Sequence, residues 1–263
     1  MKLLFIGDIV GKTGRKAVEE QLSSLKKQYE IDVVIANAEN SAHGKGITEK
    51  IYHELIAMGI DYMTLGNHAF SKEDIKTFID SADRLVRPMN MYPLEYGKGY
   101  LDFKYKQKKY RLINLCGAVF MDNIADNPFT SMQNLLNDPS VDACIVDFHA
   151  EVTSEKSAFL HLFHKKCSLI VGTHTHVQTA DELIYEGCAY ISDVGMTGPY
   201  HSIIGRDITE VLNRFRGQVS KTFTVASGPA ILSAVVVEID DEDCQAKRIE
   251  RIQIRPNNLD SYR

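Results

Sequence analysis

The segment Leu3–Asp8, with the sequence LLFIGD, sets the fold of this chain. Four apolar residues in a row are typical of a buried strand, and the Gly-Asp pair ends that strand in a loop. Apolar residues at helical spacing in 14–29 lead to a second apolar strand at Asp32–Ala36. A helix in Thr48–Met58 and a third strand at Tyr62–Leu65 repeat the pattern. Alternating strands and helices predict a parallel or mixed sheet covered by helices.

The rest of the chain continues this pattern after a β-rich middle part. A third helix is expected from Ser71, whose hydroxyl suits a helix start, to about Ile79. The later expected elements are a hairpin at Tyr100–Tyr105 and Tyr110–Leu115, strands at Ala143–Phe148, Ser168–Val171 and Ala189–Ile191, a helix at 154–164, and a closing hairpin at Ala230–Ile239 and Lys247–Ile254. We therefore predict one α/β sandwich domain over residues 1–263, with residues of about 85–130 as a candidate small lobe or cap.

Composition and charge narrow the function classes. The chain has 263 residues, of which 44% are hydrophobic and 25% charged, as in ordinary globular proteins and unlike disordered or collagen-like chains. Its formal net charge of −5 disfavours direct nucleic-acid binding, although five basic residues in 104–111 suit either an RNA contact or a solvated hairpin. Five cysteines without a C-x-x-C pair indicate a reduced, cytoplasmic protein. No apolar run approaches the roughly 20 residues of a membrane span, so no membrane partner is expected.

Polar side chains suited to metal or acid–base chemistry follow five of the expected strands. Because ligands bind outside the carboxyl ends of the strands in open α/β sheets, these side chains are expected to share one edge. They are Asp8, Glu39, Asn40, Asn67, His68, His149, His174 and His176. Carboxylates, carboxamides and imidazoles without thiolates indicate zinc, manganese or iron. The set is too large for one ion but suits two ions that share one carboxylate, for which we expect Glu39.

A two-metal site indicates phosphate-ester chemistry. Two ions about 3.5–4 Å apart can bind a phosphate ester, acidify a bridging water into a nucleophile and stabilise the leaving oxygen. His68 suits a general acid that protonates that oxygen, with a further metal-bound imidazole or a charge stabiliser as the alternatives. Asp147, Glu151 and Asp193 are candidates to orient ligand imidazoles. The segment Gly44–Gly46 is either a phosphate cradle or a flexible turn.

The order of these residues resembles the calcineurin-like metallophosphoesterase superfamily. The matching pattern is Gly7-Asp8, Glu39-Asn40, Gly66-Asn67-His68, His149 and Gly172-Thr173-His174-Thr175-His176. Two departures mark a branch: Asp8-Ile9-Val10 stands where the superfamily usually has D-x-H, so the His is missing, and Glu39 replaces the usual bridging Asp. Asn40 can fill the place of the missing His. With the stretches 40–46, 147–151, 174–181 and 193–199, these departures resemble the bacterial YmdB-like phosphodiesterases.

The resemblance implies a four-layer αββα sandwich of two mixed β-sheets flanked by helices, and hydrolysis of cyclic nucleotides of the 2′,3′-cyclic AMP type. It implies one metal at Asp8, Glu39, Asn40 and His176, another at Glu39, Asn67, His149 and His174, and proton donation by His68. Iron or manganese is the implied metal, with zinc left open by the spacing, and a homo-oligomer is implied as well. A phosphomonoesterase or protein phosphatase, or a nucleotide-sensing regulator with little turnover, stays as the alternative.

Overall fold

The architecture comes from a computed structural model of the chain, which describes residues 1–136, 138, 140–218 and 224–256. Its strands are β1 (Lys2–Ile6), β2 (Asp8–Ile9), β3 (Val33–Asn37), β4 (Tyr62–Thr64), β5 (Leu85–Val86), β6 (Tyr100–Tyr105), β7 (Lys108–Cys116), β8 (Ala143–His149), β9 (Cys167–Thr173), β10 (Leu183–Tyr185), β11 (Cys188–Ile191), β12 (Met196–Pro199), β13 (Ala230–Ile239) and β14 (Ala246–Ile254). Its α-helices are α1 (Gly11–Tyr29), α2 (Glu49–Ala57), α3 (Ile75–Phe78), α4 (Pro128–Leu135), α5 (Thr153–Phe163) and α6 (Ile208–Phe215). Short 3₁₀ turns follow α3 and α5 at Ile79–Ser81 and His164–Lys166.

The first sheet has eight strands. Seven follow the order β2-β12-β13-β1-β3-β4-β5, and β14 also pairs with β13. Strands β1, β3, β4 and β5 run parallel, with Leu4 opposite Val34 and Ala36 opposite Met63. Because parallel strands end at the same edge, the loops that follow β1, β3 and β4 leave this sheet side by side.

The second sheet has six strands in the order β10-β11-β9-β8-β7-β6. Strands β7, β8, β9 and β11 are parallel, while β6 and β10 close the two edges as antiparallel partners. The predicted hairpin of β6 and β7 therefore belongs to this sheet. Residues 85–130 supply β5 to the first sheet and β6 and β7 to the second, so this stretch is built into both sheets.

Three apolar cores separate four layers. Leu4 and Ile6 of β1 pack with Leu22 of α1 on the helical side of the first sheet, while Leu3 and Phe5 point between the two sheets. This alternation follows from the period of two along a strand. A third core, with Phe148 of β8 and Phe159 of α5 stacked at 4.4 Å between ring centroids, joins the second sheet to its helices. The predicted αββα sandwich of two mixed sheets is confirmed.

The predicted start of the third helix at Ser71 is wrong. Helix α3 begins at Ile75, after three successive turns in which each N–H bonds the carbonyl three residues earlier. The N–H of Ser71 itself bonds the carbonyl of His68 at 3.0 Å, so this serine still belongs to the turn that leaves β4. A capping hydroxyl directly precedes the first helical turn, and that turn begins four residues after Ser71.

Strand β12 is absent from the sequence-based prediction for a physical reason. Its sequence, MTGP, contains Gly and Pro, which are depleted in strands. Tertiary pairing overrides this preference, since β12 lies between β2 and β13. All five cysteines are free and buried, as small core residues would be. Within the described ranges, no helix is both long and apolar enough to cross a membrane.

Candidate metal centre

The candidate site lies where the carboxyl ends of strands from both sheets meet. The first sheet contributes Asp8 in β2, Glu39 and Asn40 after β3, and Asn67 and His68 after β4. The second sheet contributes His149 at the end of β8, and His174 and His176 just after β9. Contacts between polar atoms link all eight side chains or their backbone groups into one cluster. Their roles as metal ligands stay a prediction.

Two groups of potential ligand atoms share one carboxylate. Glu39, His149 and His174 form one group, and Asp8, Glu39 and His176 form the other. Within each group the ligand atoms all lie within 4.8 Å of one another. The sharing of Glu39 is the arrangement that a carboxylate bridging two ions requires.

His149 lies at the centre of the first group. Its Nε2 atom is 3.2 Å from Oε1 of Glu39, 3.0 Å from Oδ1 of Asn67 and 3.1 Å from Nδ1 of His174. One ring N–H cannot satisfy three acceptors at once. A cation at this point would satisfy all of them, so the donor set fits a metal ion.

Asn40 lies at the centre of the second group. Its Nδ2 atom is 2.8 Å from Oε1 of Glu39, 3.2 Å from Nε2 of His176 and 3.5 Å from Oδ1 of Asp8. An amide binds a metal through its oxygen, so coordination by Asn40 requires the amide to turn over about its terminal bond. The three surrounding atoms are anionic or basic and favour a positive charge at this point.

Burial disfavours the charged forms of the groups in this cluster and so shifts their pKa values. Burial is the main cause that raises the pKa of Asp8 above its ordinary value. For Glu39 burial acts in the same direction, but the charges of His149 and His68 outweigh it and hold the pKa of Glu39 well below its ordinary value. Burial opposes the charge of His149, yet Glu39 raises its pKa to about 9. Burial and the charge of His149 lower the pKa of His174 to about 3.

Gly66 leaves open the space beside the Glu39 carboxylate and the His149 imidazole. A Cβ atom at this position would collide with Oε2 of Glu39 and Nε2 of His149. Only glycine therefore lets the loop after β4 pass this close to both side chains. A pair of metal ions fits this site. The space beside Gly66 is open, nitrogen and oxygen atoms converge on it, and two carboxylates are buried there.

Buried hydroxyl and carboxylate groups hold the ring of His149. Its Nδ1 atom is 2.8 Å from Oγ1 of Thr173, which in turn donates to Oδ1 of Asp147 at 2.6 Å. Asn37 and Thr64 donate to the other oxygen of Asp147. Asp147, predicted to orient an imidazole directly, therefore acts through Thr173. Such partners fix the ring and its tautomer.

The other two candidate orienting carboxylates differ in role. Glu151 contacts Nε2 of His174 at 3.1 Å, as the prediction requires. Asp193 instead accepts hydrogen bonds from the backbone N–H and the hydroxyl of Thr175, and it pairs with the buried Lys156 at 3.0 Å. Asp193 therefore shapes the turn between His174 and His176 and orients neither imidazole directly.

His68 lies at the open side of the cluster. It lines a cleft of about 240 Å³ together with Glu39, and its backbone N–H donates to Oε2 of Glu39 at 3.1 Å. Burial lowers the pKa of His68, and Glu39 acts against this effect. This backbone hydrogen bond holds the loop that carries His68 beside the shared carboxylate, at the wall of the cleft.

Comparison with known proteins identifies the family. Residues 4–252 match the YmdB-like protein family. The chain is 46% identical over 262 residues to the 2′,3′-cyclic-nucleotide 2′-phosphodiesterase of Bacillus subtilis (strain 168), covering 98% of this chain and 99% of that relative. This chain belongs to the YmdB-like family. Its resemblance to the metallophosphoesterases is thereby confirmed, and so is its assignment to the phosphoesterases.

Two solved structures share the YmdB-like fold over nearly their whole length. A crystal structure described as a novel phosphatase from Mycoplasma pneumoniae has a TM-score of 0.92 and 40% identity, covering 97% of this chain and 93% of that chain. A crystal structure of a hypothetical protein from Thermus thermophilus has a TM-score of 0.90 and 36% identity, covering 97% of this chain and 99% of that chain.

Sequence reasoning missed a turn that reaches the YmdB-like site from a distant part of the chain. Nδ1 of His176 lies 2.9 Å from the carbonyl oxygen of Ile204, and the side chains of Ile204 and Arg206 line the cleft. Ile204 and Gly205 both have positive φ, as a tight turn requires. Gly205 is the only signal of this turn in the sequence, and it does not indicate that the turn lies beside His176.

Two other features of this YmdB-like chain have simple structural roles. The N–H groups of Gly44 and Lys45 already bond the carbonyls of Asn40 and Ala42, so the structure supports a turn at Gly44–Gly46 and not a backbone phosphate cradle. In the basic hairpin, Arg111 is buried and pairs with Asp102 at 2.6 Å. Three of the lysines in 104–111 also face carboxylates, which favours the solvated hairpin over an RNA contact.

Proposed function

We propose that this chain is a dinuclear metal-dependent phosphodiesterase that hydrolyses cyclic nucleotides of the 2′,3′-cyclic AMP type. The observation that carries the proposal is the presence of Glu39 in both ligand groups. The B. subtilis relative supports the choice of substrate, since its name states hydrolysis of 2′,3′-cyclic nucleotides.

Each proposed ion has its own ligands around the shared carboxylate. One ion would be held by Asp8, Glu39, Asn40 and His176, and the other by Glu39, Asn67, His149 and His174. Bound ions would supply Lewis-acid chemistry, which neutralises phosphoryl charge and acidifies water. Iron or manganese is the proposed metal, and zinc also suits a set of nitrogen and oxygen ligands.

The residues of the chain supply positioning and proton transfer. Thr173 and Asp147 hold the ring of His149, and the Ile204 carbonyl holds the ring of His176. His68, beside the shared carboxylate, would protonate the departing ribose oxygen. Burial lowers the pKa of His68, and the negative charge of a bound phosphate would act in the opposite direction.

A metal count combined with a substrate panel tests the proposal. Metal-free protein is loaded with Mn²⁺, Fe²⁺ or Zn²⁺, and hydrolysis of 2′,3′-cyclic AMP, 5′-AMP and a phosphopeptide is measured. We expect two ions per chain and fastest turnover of the cyclic diester.

Each other outcome points to a different function. Faster hydrolysis of 5′-AMP or of the phosphopeptide would replace the proposal with a phosphomonoesterase or protein phosphatase. Tight nucleotide binding without turnover would indicate a regulatory protein. Absence of both bound metal and turnover would reject the dinuclear site.

A further inference from the structure

A half-buried guanidinium group lines the cleft beside the candidate metal ligands. Arg206 shares the walls of this cleft with His68, His174 and Glu39. We propose that Arg206 is a substrate-binding residue that contacts the anionic phosphoryl oxygens of the ligand. This proposal rests on the proposed function of the adjoining site and adds to it a residue for substrate recognition.

The backbone of Arg206 is fixed from two sides. Its N–H and carbonyl form a pair of hydrogen bonds with Ile203, at 2.9 and 3.0 Å, which close the tight turn over Ile204 and Gly205. On its other side Arg206 forms an antiparallel bridge with Val225. The turn that carries Arg206 also carries the carbonyl that contacts His176, so the guanidinium has a fixed relation to the site.

The guanidinium is held in place by Gly44. Nη2 of Arg206 donates to the Gly44 carbonyl at 2.6 Å. A Cβ atom at Gly44 would lie 2.5 Å from Nη1 of Arg206, so the absence of a side chain at this position makes room for the guanidinium. The carbonyl of Gly44 and the absence of a side chain there therefore both accommodate this guanidinium.

Most hydrogen-bonding capacity of this group is unused. Within the described part of the chain, Arg206 forms no ion pair with a carboxylate, and the Gly44 carbonyl accepts its one side-chain hydrogen bond. A guanidinium has five N–H donors. Even partial burial removes water from a guanidinium, and this loss of hydration is costly unless another partner replaces the water. An anionic ligand in the cleft would supply the missing partner.

The charge of Arg206 acts on the site even without a ligand. Burial lowers the pKa of Arg206, and Glu39 acts in the opposite direction. Arg206 is in turn one of the charges that lower the pKa of His68. The cation thus lies within electrostatic range of both residues, where a phosphoryl group would lie. The planar fork of arginine matches phosphate oxygens in pairs, which the ammonium of lysine cannot do.

Binding of inorganic phosphate to the Mn²⁺-loaded protein tests this role without requiring turnover. We compare the wild type with Arg206→Gln, Arg206→Lys and the exposed control Lys104→Gln by calorimetry. Arg206→Gln should weaken phosphate binding by about 10- to 100-fold, the value of a charge-assisted hydrogen bond. Arg206→Lys should be intermediate, and Lys104→Gln should bind as the wild type does. The KM for 2′,3′-cyclic AMP should rise most in Arg206→Gln, less in Arg206→Lys and not at all in Lys104→Gln. The number of bound metal ions should stay unchanged in all three variants.

Three results would overturn the proposal. The first is wild-type phosphate affinity in Arg206→Gln, and the second is an equal loss of phosphate affinity in Lys104→Gln. The third is a loss of bound metal in Arg206→Gln, which would make Arg206 a residue that only holds the turn beside His176. A wild type that binds phosphate through Arg206 but hydrolyses no diester would reject the proposed function and leave this binding role standing.

Discussion

The Nε2 atom of His149 lies 3.2 Å from Oε1 of Glu39, and both side chains are almost fully shielded from solvent. β8 of the second sheet delivers His149, and the loop after β3 of the first sheet delivers Glu39. Their closeness lowers the pKa of Glu39 and raises that of His149 to about 9, against the effect of burial on each. A buried carboxylate that draws a proton to its neighbour is well suited to bind a cation instead.

Glu39→Gln should abolish most diester hydrolysis. The substitution removes the charge shared by both ligand groups, so we expect fewer than two ions per chain. The kcat should fall by about a thousandfold, since metal stabilisation is worth several kcal/mol and about 1.4 kcal/mol is a factor of ten. Metal analysis and kinetics check this, with Glu242→Gln in an exposed turn as the control. Full activity in Glu39→Gln would remove this residue from the site.

Gly66→Ala should disrupt the site from a position that contributes no ligand. The added methyl group would meet both Glu39 and His149, so one of the two side chains must move. We expect metal affinity and activity to drop while the circular dichroism spectrum stays native. If Gly66→Ala bound two ions with unchanged affinity, the space between Gly66, Glu39 and His149 would tolerate a side chain.

Thr173→Val should weaken the site through His149. Valine has a similar shape but cannot link Nδ1 of His149 to Asp147. Loss of such a partner costs about 10- to 100-fold in metal affinity or activity. Thr173→Ser keeps the hydroxyl and should stay close to the wild type, while Thr130→Val, at an exposed position of α4, serves as a second control. Equal loss in the serine and valine variants would contradict the hydrogen-bond explanation.

His68→Ala should slow turnover in a manner that depends on the leaving group. A general acid contributes about 10²- to 10⁴-fold, so hydrolysis of 2′,3′-cyclic AMP should fall within that range. Bis(p-nitrophenyl) phosphate releases a stable phenolate that needs no proton, so its hydrolysis should fall much less. The metal count should stay at the wild-type value. An equal loss for both substrates would argue that His68 acts by holding the metal or the charge.

Lys156→Met should destabilise the fold. Lys156 and Asp193 are both almost fully buried and lie 3.0 Å apart. We expect a loss of about 3 kcal/mol in the free energy of unfolding, the lower end for a broken buried pair, because Asp193 keeps its other hydrogen-bond donors. The exposed pair of Lys247 and Asp243 offers the control, and Lys247→Met should cost less than about 1 kcal/mol. Urea unfolding measures both, and equal effects would contradict the role of burial.

Local patterns in the sequence predict much of this fold. The run of apolar residues in β1 and the helical spacing in α1 predict both elements to within a few residues, since periods of 2 and 3.6 are written directly in the chain. The Gly66-Asn67-His68 segment likewise indicates a loop with ligand-type side chains after a strand. Where local preference and tertiary pairing disagree, as in β12 with its Gly and Pro, the sequence-based prediction fails.

The order of residues along the chain predicts which ligand-type residues follow which strands, and therefore that Glu39 and His149 come to one edge of an α/β sandwich. Three further relationships appear in the folded chain alone: these two side chains lie in contact, Thr173 links His149 to Asp147, and the turn with Ile204 and Arg206 reaches the cleft. The reason is physical. Periodicity and turn residues are local properties, whereas the approach of two sheets and of a distant turn depends on packing that no single segment encodes.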